Sequence, residues 1–343
     1  MTLMQKEIFE TPQVLGESIS YNADALRSIA GNLGTKSNIF IAARGTSDHA
    51  AIYGKYVFET LLGIPVGLAA PSVTTVYGKD VDYSGSVVIG ISQSGEAKDV
   101  LLVLESAKKT GAYVVAITND ENSEIANMAD AHIHLCAGSE KSVAATKTFT
   151  SQLFALVQIA AACAKNKELK EAIDKMPAEI SKVLELDIVL KEAAKRYRFM
   201  DACFALSRGY DYCMAFEAAL KMQECAYIKA KAYSVSDFMH GPIAMIERDT
   251  PCLVYLSKGR FSEEMSDVIG RLREVGADIT VVSDDETLLS LADQGIKLPS
   301  VCHEILSPLY IAPVIQLFAC YTSLTKGLTP DTPRGLKKVT ITV

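Results

Sequence analysis

Ser92-Gln93-Ser94-Gly95-Glu96 directly follows an apolar run at Val87 to Ile91 and opens a stretch of helical spacing that begins near Ala97. Hydroxyls and free backbone amides at the N-terminus of such a helix hold an anion without needing a lysine. An ordinary helix cap at Ser92 or Ser94, with Gly95 merely permitting the turn, is the competing reading. Gly45-Thr46-Ser47 stands in the same kind of place after Asn38 to Ala43, and a third polar loop, Ser142 to Thr148, follows a run that ends at Cys136. Hydroxyl-rich loops after parallel strands can converge on one anion. Neither GxGxxG nor GxxxxGK[ST] occurs, so a small phosphorylated metabolite fits better than a dinucleotide or a nucleoside triphosphate.

A second constellation is Glu217, Lys221 and Glu224, at i, i+4 and i+7 of an expected helix over Met214 to Lys231, where all three share one face. Carboxylate and amine side by side in a mostly apolar helix point to proton transfer. The alternative is an i,i+4 salt bridge on a solvated face. Sixteen residues past Glu224, His240 sits beside Gly241 and Pro242, which fix the backbone around an imidazole suited to acid/base work. His132 and His134 alternate on a strand with no third ligand nearby in sequence, so no metal is expected there. His49 follows the Gly-Thr-Ser loop and is placed to approach a ligand, whereas His303 has no clear context.

The elements that must position these groups are read from the pattern. Short apolar runs at Asn38 to Ala43, Ser86 to Ile91, Tyr113 to Thr118 and Ala131 to Cys136 alternate with helical stretches at Asp48 to Leu62 and Ala97 to Lys109. That alternation means a parallel α/β sheet. From Thr148 to Lys195 the chain reads as helix and then charged connector. Strand candidates return at Ala202 to Ser207, Cys252 to Leu256 and Ile279 to Val282, with a helix expected at Ser262 to Val275. NIFIAARG at Asn38 to Gly45 and ACFALSRG at Ala202 to Gly209 are a weak internal repeat. The closing stretch, Thr329 to Val343, ends in alternating Val, Thr and Ile and is expected to be ordered against something.

The chain has 343 residues, 49% hydrophobic and 22% charged, which excludes a disordered tail or a coiled coil and makes two domains the default. Thirty-four basic against forty-one acidic side chains give a net charge of -7, with no dense Lys/Arg cluster, so nucleic acid is not an expected partner. The N-terminus is neither a signal nor a transit peptide, and no run of 18 apolar residues is present. Leu153 to Ala164 and Leu309 to Cys320 read as buried helices, so the expectation is a cytoplasmic protein with no membrane partner. Eight scattered cysteines without a CxxC pair read as small buried hydrophobes in a reducing compartment.

Seven motifs in order carry a resemblance. MQKEIFETP near the start, RGTS at Arg44 to Ser47, SQSGE at Ser92 to Glu96, VAATKTFTSQL at Val143 to Leu153, FEAALKMQECAYIKAKAY at Phe216 to Tyr233, MHGPIAMIE at Met239 to Glu247 and DTPRGLKKVTITV at the C-terminus run almost end to end. The sequence resembles the sugar isomerase (SIS) domain family, and within it the isomerase half of the glutamine-fructose-6-phosphate amidotransferases. The resemblance implies an α/β protein of two SIS domains, each a parallel sheet flanked by helices in three layers. The expected division is an N-terminal helical segment over 1–30, SIS domain 1 over 31–165, a helical connector over 166–195, SIS domain 2 over 196–328 and a tail over the active site at 329–343. A hexose or hexosamine 6-phosphate would be held by Thr46, Ser47, Ser92, Gln93, Ser94 and Val143. Glu224 would be the base moving a proton between sugar carbons 1 and 2, with Lys221 one turn before it. His240 would open the ring from the neighbouring subunit of a homodimer. Lys338 matches the lysine that forms a Schiff base with the open-chain ketose. No cofactor and no metal are implied.

Two departures from the family pattern are visible. Ala97 stands where SQSGET has Thr, and Ala145 where VAST has Ser, so two expected hydroxyls are missing. Met1 leads straight into the sugar-binding half, so glutamine hydrolysis is not expected. The leading expectation is glutamine-independent conversion of glucosamine 6-phosphate to fructose 6-phosphate and ammonia. A fructosamine 6-phosphate deglycase needs the same proton shift with a different leaving amine. A non-catalytic sugar-phosphate sensor is the reading from another class.

Overall fold

The computed structural model describes residues 1–338, so the expectation for Val339 to Val343 lies outside the described residues. The chain divides into two compact units. One is built from Glu10–Glu140, Lys147–Pro177, Lys337 and Lys338, and the other from Met1–Phe9, Lys141–Thr146 and Ala178–Leu336. They are called here the first-sheet and second-sheet units.

The first sheet is five parallel strands, β1 (Asn38–Ala42), β2 (Val66–Leu68), β3 (Ser86–Ser92), β4 (Tyr113–Thr118) and β5 (Ala131–His134), in the order β2-β1-β3-β4-β5. Every residue of β3 is buried, as expected of a central strand covered on both faces. Val88, Val114 and Ala116 pack under Val100, Leu104 and Ala107 of helix Lys98–Lys109. Gly90 leaves room for that helix, since a Cβ there would lie 2.5 Å from a Leu104 methyl.

The second sheet has β6 (Ala202–Ser207), β7 (Lys229–Ser234), β8 (Pro251–Tyr255), β9 (Asp278–Ser283) and β10 (Gln294–Lys297), again all parallel, in the order β10-β9-β8-β6-β7. Numbered within each unit, both sheets run 2-1-3-4-5, with β6 as the counterpart of β1. The repeat between NIFIAARG and ACFALSRG therefore has a structural basis. In each sheet the chain leaves the first strand to one side and returns on the other, which creates a switch point between β1 and β3 and another between β6 and β8. Ligands of such open sheets bind outside the strand ends at that point.

The expected helix over Met214 to Lys231 is too long. It spans Tyr212–Ala226, closes at Tyr227 in the left-handed region (φ 56°), and the chain from Lys229 is strand β7. Lys229, Ala230 and Lys231 alternate exposed, buried, exposed, the two-residue period of a strand rather than a helix. The cysteines are all free, and five of the eight are buried, but Cys302 is exposed, against the expectation of burial. Helix Ser307–Thr325 overruns the expected Leu309 to Cys320. Among the described residues the stretch Glu304–Thr325 that contains it is the one long and apolar enough to cross a membrane, with mean hydropathy 1.5, and the helix is buried in the fold from Ser307 to Ser323.

Candidate active site

The Ser92 loop leaves β3 and the Gly45 loop leaves β1, on adjacent strands whose register pairs Ala42 with Gly90. The two polar loops therefore flank the switch point of the first sheet. Gly45 (φ 55°) turns the chain into helix Thr46–Leu62, and neither that helix nor Lys98–Lys109 has a side-chain cap at its N-terminus. Ser92 Oγ accepts from the Gly95 amide at 3.1 Å and Ser94 Oγ from the Glu96 amide at 3.3 Å. The serines order their own loop, and the capping alternative falls. The N-cap position belongs to Ala97, where the family pattern would place a threonine.

Gly95 is required twice over. Its φ is +69°, and a Cβ there would lie 2.1 Å from Ser123 Oγ. Gln93 fixes the far side of the loop by accepting from the Asn119 amide at 3.0 Å through its carbonyl. Arg44 and buried Asp99 form an ion pair that ties the two loops together. Ser47 Oγ accepts from Gln152 Nε2 at 3.0 Å, so a side chain on helix Lys147–Ala164 aims the hydroxyl. Burial pushes the Asp48 carboxyl up, with His49 and Arg44 opposing.

His132 and His134 do share one side of β5, their ring centroids 6.2 Å apart. Burial first, then the neighbouring His134, lowers the pKa of His132, whose Nε2 lies 2.8 Å from Thr118 Oγ1. The pair packs at a strand end, and among the described residues no group of three metal-ligating side chains forms.

Just ahead of the third polar loop stands a group that the sequence motifs do not mark, Glu140. Glu140 has no exposed side-chain surface, and it accepts from the Thr148 amide at 3.2 Å and the Thr148 hydroxyl at 2.9 Å. Lys338 reaches the same carboxylate with Nζ at 2.6 Å. Beside them Lys147, itself buried, donates to Glu10 at 2.6 Å and to the Ser139 carbonyl at 3.0 Å. Within the second-sheet unit Val143 donates its amide to the Asp331 carbonyl at 3.2 Å, and Asp331 also accepts from the Leu3 and Met4 amides.

Helix Tyr212–Ala226 places Glu217, Lys221 and Glu224 on one face as expected, but that face is not solvated. Glu217 and Lys221 have no exposed surface, and only Glu224, at 22%, meets solvent. Lys221 Nζ lies 3.4 Å from Glu217 Oε1 and also donates to Glu224. Burial works to lower the Lys221 pKa, but the two carboxylates outweigh it and hold the value above that of an ordinary lysine. The result is a fixed buried cation carrying one reachable carboxylate. His240 caps the short helix Val235–Met239 in the same unit and is exposed. Thus Thr46, Ser47, Ser92, Gln93, Ser94 and Lys338 belong to the first-sheet unit, and Val143, Lys221, Glu224 and His240 to the second.

At the second sheet's own switch point the loops after β6 and β8 are joined by a buried carboxylate. Asp211, fully buried, accepts from the Ser257 amide at 3.0 Å and its hydroxyl at 3.3 Å, and from Ser307. Burial pushes this carboxyl up to about 7 against those hydrogen bonds. A Cβ at Gly209 would meet the Phe261 ring at 2.5 Å, and Arg208 is engaged by Glu264 and Ser236.

The SIS domain profile matches residues 33–162 and 202–326, one match over each sheet. The chain is 34% identical over 345 residues to glutamine-fructose-6-phosphate aminotransferase (isomerizing) of Thermococcus kodakarensis, covering 98% of this chain and 57% of that protein. The enzyme of the same name from Aquifex aeolicus is also 34% identical, over 99% of this chain and 57% of its own length. The chain thus spans little more than half of these curated relatives. Among solved structures, the C-terminal domain of glucosamine-fructose-6-phosphate aminotransferase from Francisella tularensis superposes with a TM-score of 0.89 at 26% identity, over 97% of this chain and 98% of that one. Glucosamine-6-phosphate deaminase of Thermotoga maritima superposes at 0.79 with 21% identity, over 99% of this chain and all of that one, and shares the fold.

Proposed function

The chain belongs to the SIS domain family, and from that premise we propose that it is a phosphosugar isomerase acting as a glucosamine-6-phosphate deaminase. In this reading it works in the cytoplasm as a homodimer, without glutamine and without a cofactor. The observation that carries the reading is the buried Glu217-Lys221-Glu224 triad with a single reachable carboxylate. Isomerisation needs one positioned base, and burying an ammonium and two carboxylates is a poor route to stability alone.

The roles follow from the chemistry. Thr46, Ser47, Ser92, Gln93 and Ser94, together with Val143, hold the 6-phosphate sugar, the charge being met by helix-terminal amides and hydroxyls rather than by lysines. His240 of the partner subunit opens the ring by moving a proton between the anomeric hydroxyl and the ring oxygen. Glu224 takes the proton from C2 of the open-chain aldehyde, and the electrons move onto the C1 oxygen, which takes a proton from the substrate's C2 ammonium to give an enaminol. Return of the proton to C1 leaves an imine at C2. Lys221 holds Glu224 in place through their ion pair. Lys338 adds to C2 and ammonia leaves. Hydrolysis of the resulting protein imine releases fructose 6-phosphate.

The test is a panel of amino-sugar 6-phosphates and fructosamine 6-phosphates assayed for released ammonia, amino acid and ketose phosphate. Ammonia with fructose 6-phosphate from glucosamine 6-phosphate is the expected result. Amino-acid release instead would make the chain a deglycase, and turnover of none would make it a sensor.

A further inference from the structure

We propose that Glu140 is the counter-ion and proton acceptor of Lys338, and so a participant in the imine chemistry assigned above, on which this inference rests. Glu140 lies just ahead of the third polar loop, and nothing in the sequence pattern gave it a role. Its carboxylate is wholly buried, it is aimed by the amide and hydroxyl of Thr148, and it receives Lys338 Nζ at 2.6 Å. Lys338 itself keeps 24% of its side chain exposed, so the amine is reachable while its partner is not. Nearby, Lys147 and Glu10 pair with each other at 2.6 Å. A tail lysine is among the most mobile of side chains. Seating its amine on a rigid, buried carboxylate gives it one position and a place to deliver its proton.

Imine formation from fructose 6-phosphate is the reverse of the hydrolysis assigned above. The Lys338 ammonium passes one proton to Glu140, and the free amine forms a bond to the C2 carbonyl carbon while the π pair moves to oxygen. That oxygen recovers the proton held by Glu140, takes a second from the now-cationic nitrogen, and leaves as water. The protonated imine remains, facing the restored Glu140 carboxylate. The net change is ammonium plus ketone to iminium plus water, with no other reactant.

The experiment traps the imine with borohydride, using fructose 6-phosphate as the probe and intact mass with peptide mapping as the readout, from pH 6 to 10. Wild type is expected to give a Lys338 adduct at neutral pH. Glu140→Gln keeps size and polar contacts, and its initial trapping rate at pH 7 should fall by about a hundredfold, the usual scale of a lost acid/base group. The rate should return as alkali deprotonates the amine directly. Glu140→Asp, which restores a carboxylate, should recover part of the rate at pH 7. Wild-type trapping by Glu140→Gln at pH 7 would overturn the proposal. So would a loss that neither alkali nor Glu140→Asp repairs, because that is the behaviour of a mere tether for the tail. Absence of any Lys338 adduct in the wild-type protein would overturn the imine reading itself and this proposal with it.

Discussion

Replacing Lys221 by Met removes the cation from the triad at nearly constant volume and leaves Glu217 and Glu224 on one buried face. The magnitude can be worked from the geometry. With Nζ 3.4 Å from Glu217, the attraction lost from this one pair is about 5 kcal/mol at an effective dielectric constant of about 20. Removing one partner of a buried pair typically costs about 3–5 kcal/mol, because the remaining charge is stranded. The loss should depend on pH in a defined direction. A carboxyl that is harder to ionise folded than unfolded adds stability on the acid side and loses it as pH rises. Lys221→Met should therefore be closest to wild type near pH 5 and furthest from it near pH 8. Glu217→Gln with Lys221→Met leaves only Glu224, which meets water, and should regain most of the loss. The assay is urea unfolding at the two pH values for wild type, single and double variants. A deficit under about 1 kcal/mol at both pH values, the worth of an exposed pair, would refute the burial on which the reasoning depends.

Ser92→Ala or Ser94→Ala should raise the Michaelis constant for a sugar phosphate by about tenfold, the cost of about 1.5 kcal/mol of charged hydrogen bonding, and unchanged affinity in both variants would remove this loop from the site. Asp211 holds its proton up to about 7 folded but only to its ordinary 3.8 unfolded, so its contribution to stability is complete below 3.8 and lost as pH rises to 7. Asp211→Asn should flatten that limb in thermal unfolding, and an unaltered pH profile would contradict it. Mixing Glu224→Gln with His240→Ala subunits should restore about a quarter of wild-type activity, since about half of randomly exchanged dimers are mixed and each carries one complete site. No recovery after demonstrated exchange would place His240 outside a shared site.

The architecture was legible where burial on both faces forces β-branched runs, as at β3 and β4, and where loops after those runs carry Ser, Thr and Gly. The edge strands β2, β7 and β10 were not, because a short, half-exposed edge strand such as Lys229–Ser234 can be built from Lys, Ala and Tyr with no apolar run. Spacing correctly put Glu217, Lys221 and Glu224 on one face but left solvated and buried readings open. What decides between them is tertiary packing: helix Tyr212–Ala226 lies against β6, β7 and helix Ser307–Thr325, the last some ninety residues downstream, long-range contacts no local pattern encodes. Glu140 escaped notice for the same reason. It is one acid among forty-one until the fold brings Lys338 to it across 198 residues.

The central claim is that Glu224 moves the proton between C2 and C1 of an amino-sugar 6-phosphate. Its most direct test compares wild type with Glu224→Gln, which keeps size and hydrogen bonding but cannot act as a base. Turnover is read as ammonia and fructose 6-phosphate formed from saturating glucosamine 6-phosphate, alongside calorimetric binding of the same sugar. The predicted result is a loss of turnover of about a hundredfold or more with binding retained. Near-normal turnover in the variant would contradict the account and reduce the triad to a buried salt bridge.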